Sequence, residues 1–82
     1  MTRIYVNQHE TGWEWAVGNG SERPTEWSEL STRGGRPIDA SATDRALARH
    51  ARRAADVGLV DVTIRRIGHE GRSIVTHRQV VR

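Results

Sequence analysis

The sequence predicts an α+β fold: a small antiparallel sheet of two hairpins with an extra edge strand, and one helix packed on one face. Three observations predict it. Apolar residues alternate with polar ones near both ends of the chain, turn residues interrupt each alternating stretch, and one alanine- and arginine-rich segment between them carries helical spacing. An 82-residue chain has room for one core of this kind, so residues 1–82 read as a single domain.

The first strand is Arg3 to Gln8, with Ile4 and Val6 on one side and Tyr5 and Asn7 on the other. His9-Glu10-Thr11-Gly12 supplies a turn. Trp13 to Val17 then returns antiparallel, placing Trp13, Trp15 and Val17 on a common face. Residues 18–24 form a loop by composition, and Thr25 to Ser31 reads as a short polar strand at the sheet edge, with Trp27 and Leu30 on opposite sides. Thr32 to Pro37 follows as a second loop, long enough with its flanks to be mobile.

The helix is expected over Ser41 to Val57. Ser41 and Asp44 have the spacing of a capping box, and Gly58 is the expected left-handed cap, with Leu59 reaching back to Ala54. Thr43, Ala46, Leu47, His50, Ala51, Ala54 and Val57 recur at three- and four-residue intervals as the inner face, opposite Arg45, Arg49, Arg52, Arg53 and Asp56. Val60 to Ile67 alternates with Val60, Val62 and Ile64 inward. Gly68 to Gly71 turns the chain, and Arg72 to Val81 completes the second hairpin. The expected core is Ile4, Val6, Trp13 or Trp15, Leu47, Ala51, Ala54, Val62 and Ile64.

Composition narrows the function classes. There is no Cys, which excludes disulfides and thiolate metal sites. No apolar run approaches the roughly 20 residues of a membrane span, and Met1 is not followed by a secretory leader, so a cytoplasmic location without membrane contact is expected. All 13 basic residues are Arg. Residues 1–40 carry a net charge of −2 and residues 41–82 a net of +5, which polarises the chain toward a polyanionic partner or toward head-to-tail docking of copies.

Catalysis is not expected. His9, His50, His69 and His77 are dispersed, and although His69 and His77 lie across the second hairpin, no carboxylate joins them. No nucleophile elbow or phosphate loop is present, so no cofactor, metal ligand or catalytic residue is assigned. Binding fits better. Trp13, Trp15 and Trp27 are the candidate protein-binding residues, because Trp is enriched at interface hot spots and open sheet edges accept strands from other chains. The alternative is a nucleic-acid surface built from Arg45, Arg49, Arg52 and Arg53 on the helix with Arg65, Arg66, Arg72 and Arg78 on the second hairpin. The expected partner is a protein or a second copy of the chain, with nucleic acid as the other reading.

The run Ile4-Tyr5-Val6, then Gly12-Trp13-Glu14-Trp15-Ala16-Val17, the helix Ala42 to Val57 and the closing strand pair from Leu59 to His77 resemble a family of small uncharacterised bacterial β-β-α-β-β proteins. Members carry a shorter G-W-A-V run and a shorter segment before the helix. The resemblance implies a fold but no activity, so it transfers no functional residue. The Arg-only composition also suits a small actinobacterial or actinobacteriophage gene product.

Overall fold

A computed structural model describes residues 2–18 and 24–80. In chain order the elements are β1 (Thr2–His9), β2 (Gly12–Gly18), β3 (Ser28–Glu29), α1 (Asp44–Ala55), β4 (Val60–Ile67) and β5 (Ser73–Val80). They form a five-stranded sheet in the order β3-β2-β1-β4-β5. Both hairpins and the short edge strand are where the alternation puts them. The sheet is mixed, however, because β1 and β4 run parallel, with Ile4 beside Val62 and Val6 beside Ile64. The helical connection forces this: a chain that crosses over the sheet before re-entering it returns in the direction it first took.

The register settles the two faces. Ile4 and Val6 lie beside Val17 and Trp15 on β2 and beside Val62 and Ile64 on β4, so these side chains share the helix-covered face. Ile4, Val6, Trp13, Leu47, Val60 and Ile64 have no exposed surface, and Leu30 and Ile38 close the core beside β2. The indole Nε1 of Trp13 donates to the Asp39 carbonyl at 3.2 Å, which satisfies its polar group in the core.

Both helix ends differ from expectation. The N-cap is Thr43, whose Oγ1 accepts from the Ala46 amide at 3.1 Å. Ser41 instead donates its amide and hydroxyl to Asp39 Oδ1 at 2.8 and 2.7 Å, and these bonds hold the Asp39 carboxyl below its ordinary value. The left-handed residue at the far end is Asp56, at φ 55°, not Gly58. Asp tolerates this region better than most side chains, so the helix stops two residues early. The helix is also rotated by about a quarter turn from the expected setting, at roughly 100° per residue. Leu47, Ala48 and Ala51 are buried, whereas Ala54 and Thr43 are exposed.

The segment from Thr32 to Pro37, expected to be mobile, is closed by hydrogen bonds. The Thr32 amide donates to the Arg36 carbonyl at 2.9 Å, the Arg36 amide to Thr32 Oγ1 at 3.1 Å, and Ser31 bridges to Pro37. Most of the expected loop at 18–24, and the end of the last strand at Val81, lie outside the described residues.

Candidate interaction surfaces

Tryptophan placement changes the surface that Trp can form. Trp13 and Trp15 share a face as expected, but it is the face beneath the helix. Trp13 is wholly enclosed and Trp15 half-buried against the core, so the two do not share one fate. A side chain with no accessible surface cannot meet a partner while the fold is intact, so Trp13 is a core residue. Trp27, half-buried just before β3, is on the other edge of the sheet from β5.

The eight arginines do not assemble into one basic surface. Arg66 reaches from β4 over the Trp13 ring, 5.2 Å from its centroid, and its Nη2 pairs with Asp44 Oδ1 at 2.6 Å while donating to the Ala42 carbonyl at 2.7 Å. This guanidinium fastens the start of α1 to the sheet. Partial burial pushes the Asp44 carboxyl up, but hydrogen bonding from Arg66 and the charges of Arg66 and Arg78 outweigh it and hold Asp44 below its ordinary value. Arg53 Nη2 donates to the Ser31 carbonyl at 3.0 Å, and Arg52 Nη1 to the Val57 carbonyl at 3.2 Å. Arg65 lies on the opposite side of the sheet, where its Nη2 meets the Asn7 amide oxygen at 3.2 Å. Arg72 sits 3.9 Å from Glu70 at the hairpin tip, both largely exposed. Arg45, Arg49 and Arg78 remain exposed without such anchoring.

The histidines stay apart. His9 Nε2 meets Glu29 Oε1 at 3.0 Å across β2, and His77 Nδ1 lies 3.1 Å from Thr63 Oγ1. His69 sits in the turn beyond the Ile67–Ser73 pair, so it does not face His77 across the ladder. His50 is half-buried on α1. Burial and the nearby Arg53 charge lower its pKa, and its Nδ1 has no partner. Among the described residues no three or more His, Asp and Glu side chains converge on a metal-sized site.

The sequence points to sheet edges without saying which one, and does not single out an open face; the structure presents one surface of each kind. The first is the outer edge of β5. This strand is eight residues long and pairs without interruption to β4, from Val60–Val80 to Ile67–Ser73. Beside its turn, Ile67, Ile74 and Val75 are 52%, 49% and 51% exposed. The second is the sheet face that α1 leaves uncovered. It carries Arg3, Tyr5, Asn7 and His9 from β1, Glu14 and Ala16 from β2, Asp61, Thr63, Arg65 and Ile67 from β4, and Val75, His77 and Gln79 from β5. These positions alternate with the core positions; of them Ala16 alone is buried, and the described residues contain no second layer on this side.

No helix among the described residues is long and apolar enough to cross a membrane. Compared with known proteins, the chain matches no family model, no curated protein and no solved structure.

Proposed function

We propose that the protein is a non-catalytic interaction module that associates with a second copy of itself through the outer edge of β5. The observation that supports this reading is the contrast between the two sheet edges. The β3 edge is two residues long and carries the charge of Glu29, two devices that discourage strand addition. The β5 edge is the less protected of the two. It is four times as long, holds no proline, and bears one formal charge, Arg78.

Antiparallel pairing of two β5 strands extends the sheet across both copies. A register centred on Thr76 places Arg78 opposite Ile74 and Val75 opposite His77 of the second copy, which keeps the two Arg78 side chains apart. Ile67, Ile74 and Val75 add apolar surface beside the joined strands. Sedimentation equilibrium from about 5 to 200 μM tests the reading, since weak edge-to-edge association falls in this range. The expected result is a monomer–dimer equilibrium that Val75→Lys shifts to monomer with an unchanged far-UV spectrum. A strict monomer throughout that range overturns it.

A further inference from the structure

We infer that the uncovered sheet face holds a binding site for single-stranded nucleic acid, centred on Tyr5 and built on side chains of that face, not on the hydrogen-bonding edge of β5. The site starts from a glycine. Gly18 is beside Arg3 in the β1–β2 register, one step diagonal from Tyr5, and a Cβ at Gly18 would collide with Tyr5 Cε2 and come within 3.1 Å of Cδ2. The phenol ring therefore leans along the sheet into the space that a side chain at Gly18 would fill. Tyr5 is half-buried there, so part of the ring stays accessible, which a stacking platform requires.

Beside the ring lies a depression of about 310 Å³ bordered by Arg3, Tyr5, Asp61, Thr63 and His77. Its size is at the lower end of small-molecule sites, about 300 Å³, and suits one nucleotide better than a larger ligand. The chemistry of its rim is divided. Arg3 is exposed and, among the described residues, has no ion pair or hydrogen bond, which leaves its guanidinium free for a phosphate. Asp61 is a carboxylate acceptor next to it in the β1–β4 register. A surface that relied on phosphate charge alone would not place a carboxylate there. A base edge that donates hydrogen bonds matches it, and guanine, with adjacent N1–H and N2–H donors, matches it with two. Thr63 orients His77 at 3.1 Å, giving a second ring on the same face for a neighbouring base or sugar. Arg65, held by Asn7, lies farther along the same face of β4.

The occupant is a short single strand, not a duplex. A flat, mixed-charge face with one free arginine beside an aromatic ring rewards stacking of unpaired bases, and a duplex keeps its bases stacked on each other. The shared chemistry of DNA and RNA is the base and phosphate, so both enter the test.

Fluorescence anisotropy with labelled adenine octamers carrying one central guanine, as RNA and as DNA, measures the interaction at about 50 and 200 mM salt. Binding to one or both single strands, with the matching duplexes weaker, is expected. Tyr5→Ser is expected to weaken binding about tenfold or more and Tyr5→Phe to retain it, since the ring and not the hydroxyl does the stacking. Gly18→Ala, which lifts the ring, is expected to act in the same direction as Tyr5→Ser. Arg3→Gln reduces the salt dependence by about 0.7 in logarithmic slope, one phosphate contact on a single strand. Asp61→Asn narrows the preference for the guanine octamer over oligoadenine. Trp fluorescence, which reports the enclosed Trp13, confirms that each variant is folded. No binding by the folded wild type up to about 100 μM, the weak end of non-specific nucleic-acid affinity, overturns the proposal. So does equal affinity of wild type and folded Tyr5→Ser, or loss on Arg45→Ala with Arg49→Ala in place of Tyr5→Ser, which would move the contact to the helix.

Discussion

The same strands present two chemically opposite faces. Under the helix, Ile4, Val6, Val60, Val62 and Ile64 are at most 1% exposed. At the alternate positions of those strands stand Arg3, Tyr5, Asp61 and Thr63, which border a shallow basin, and Asn7 and Arg65 farther along. One residue step moves a side chain from one environment to the other, because the strand repeat is two. The covered face determines whether the chain folds. The open face can change its chemistry without changing the fold, and interaction sites fit there for that reason.

The contrast is broken most sharply at Leu47. It is the one large apolar residue that α1 buries, so Leu47→Ala is expected to cost about 2–5 kcal/mol in urea-induced unfolding. Arg66 comes next, for its guanidinium ties Asp44, Ala42 and Trp13 together at a site about a quarter exposed. Arg66→Ala is expected to cost about 1.5–3 kcal/mol, and Arg66→Lys to recover only part of it, since a lysine cannot serve two acceptors with a planar fork. An equal loss in Arg66→Ala and in Arg65→Ala, its neighbour on the open face, would show that the two faces are not energetically distinct.

Acid sharpens the comparison by acting on the covered side. His50 is held below its ordinary value of 6.5 by burial and by Arg53, so the unfolded chain binds a proton more readily than the folded one. Stability is therefore expected to fall as pH drops below 6.5 toward the folded value. Asp44 is also lowered, here from 3.8, and its contribution is present above that value and lost as pH falls through the folded one. Urea titrations from pH 7.5 to 3 should show two steps of decline, the upper one absent in His50→Gln and the lower one reduced in Asp44→Asn. The smallest effect belongs to Arg49→Ala on the exposed outer side of α1, expected to lie within about 0.5 kcal/mol of wild type.

Much of this fold is legible because alternation leaves little choice. Val60, Val62 and Ile64 cannot point outward without exposing three branched residues, and Gly12 and Gly71 mark turns between matched strands. The helix was harder to phase. Ala46, Ala48, Ala51, Ala54 and Ala55 spread over an arc of roughly 200°, wider than the face that is buried, so spacing alone fixes its rotation poorly and Leu47 is its single large anchor. Its caps were ambiguous for a related reason. Ser41 and Thr43 can each cap a helix, and Asp39 claims the first through two hydrogen bonds, leaving Thr43 at the start. The interaction surfaces were less legible still. Arg53 and Arg66 read as solvent-facing charge, and only the tertiary arrangement brings Ser31 and Asp44 within their reach. Trp13 and Trp15 read as sharing a face, but the sequence leaves open whether that face is core or binding surface, because it does not say which face the helix will cover.

The parallel seam between β1 and β4 has a consequence for how the molecule can come apart. All other strand pairings among the described residues are made within the first half of the chain or within the second; this ladder alone crosses between them. Pairing that waits on distant segments forms late, after each local hairpin has had its chance. A chain severed between Gly34 and Gly35, where the backbone is exposed, should yield two pieces that recombine on mixing, with Trp13 fluorescence returning as the seam zips. The same logic lets the carboxy-terminal piece of one molecule complement the amino-terminal piece of another, so exchange of halves is the form of misassembly this topology invites.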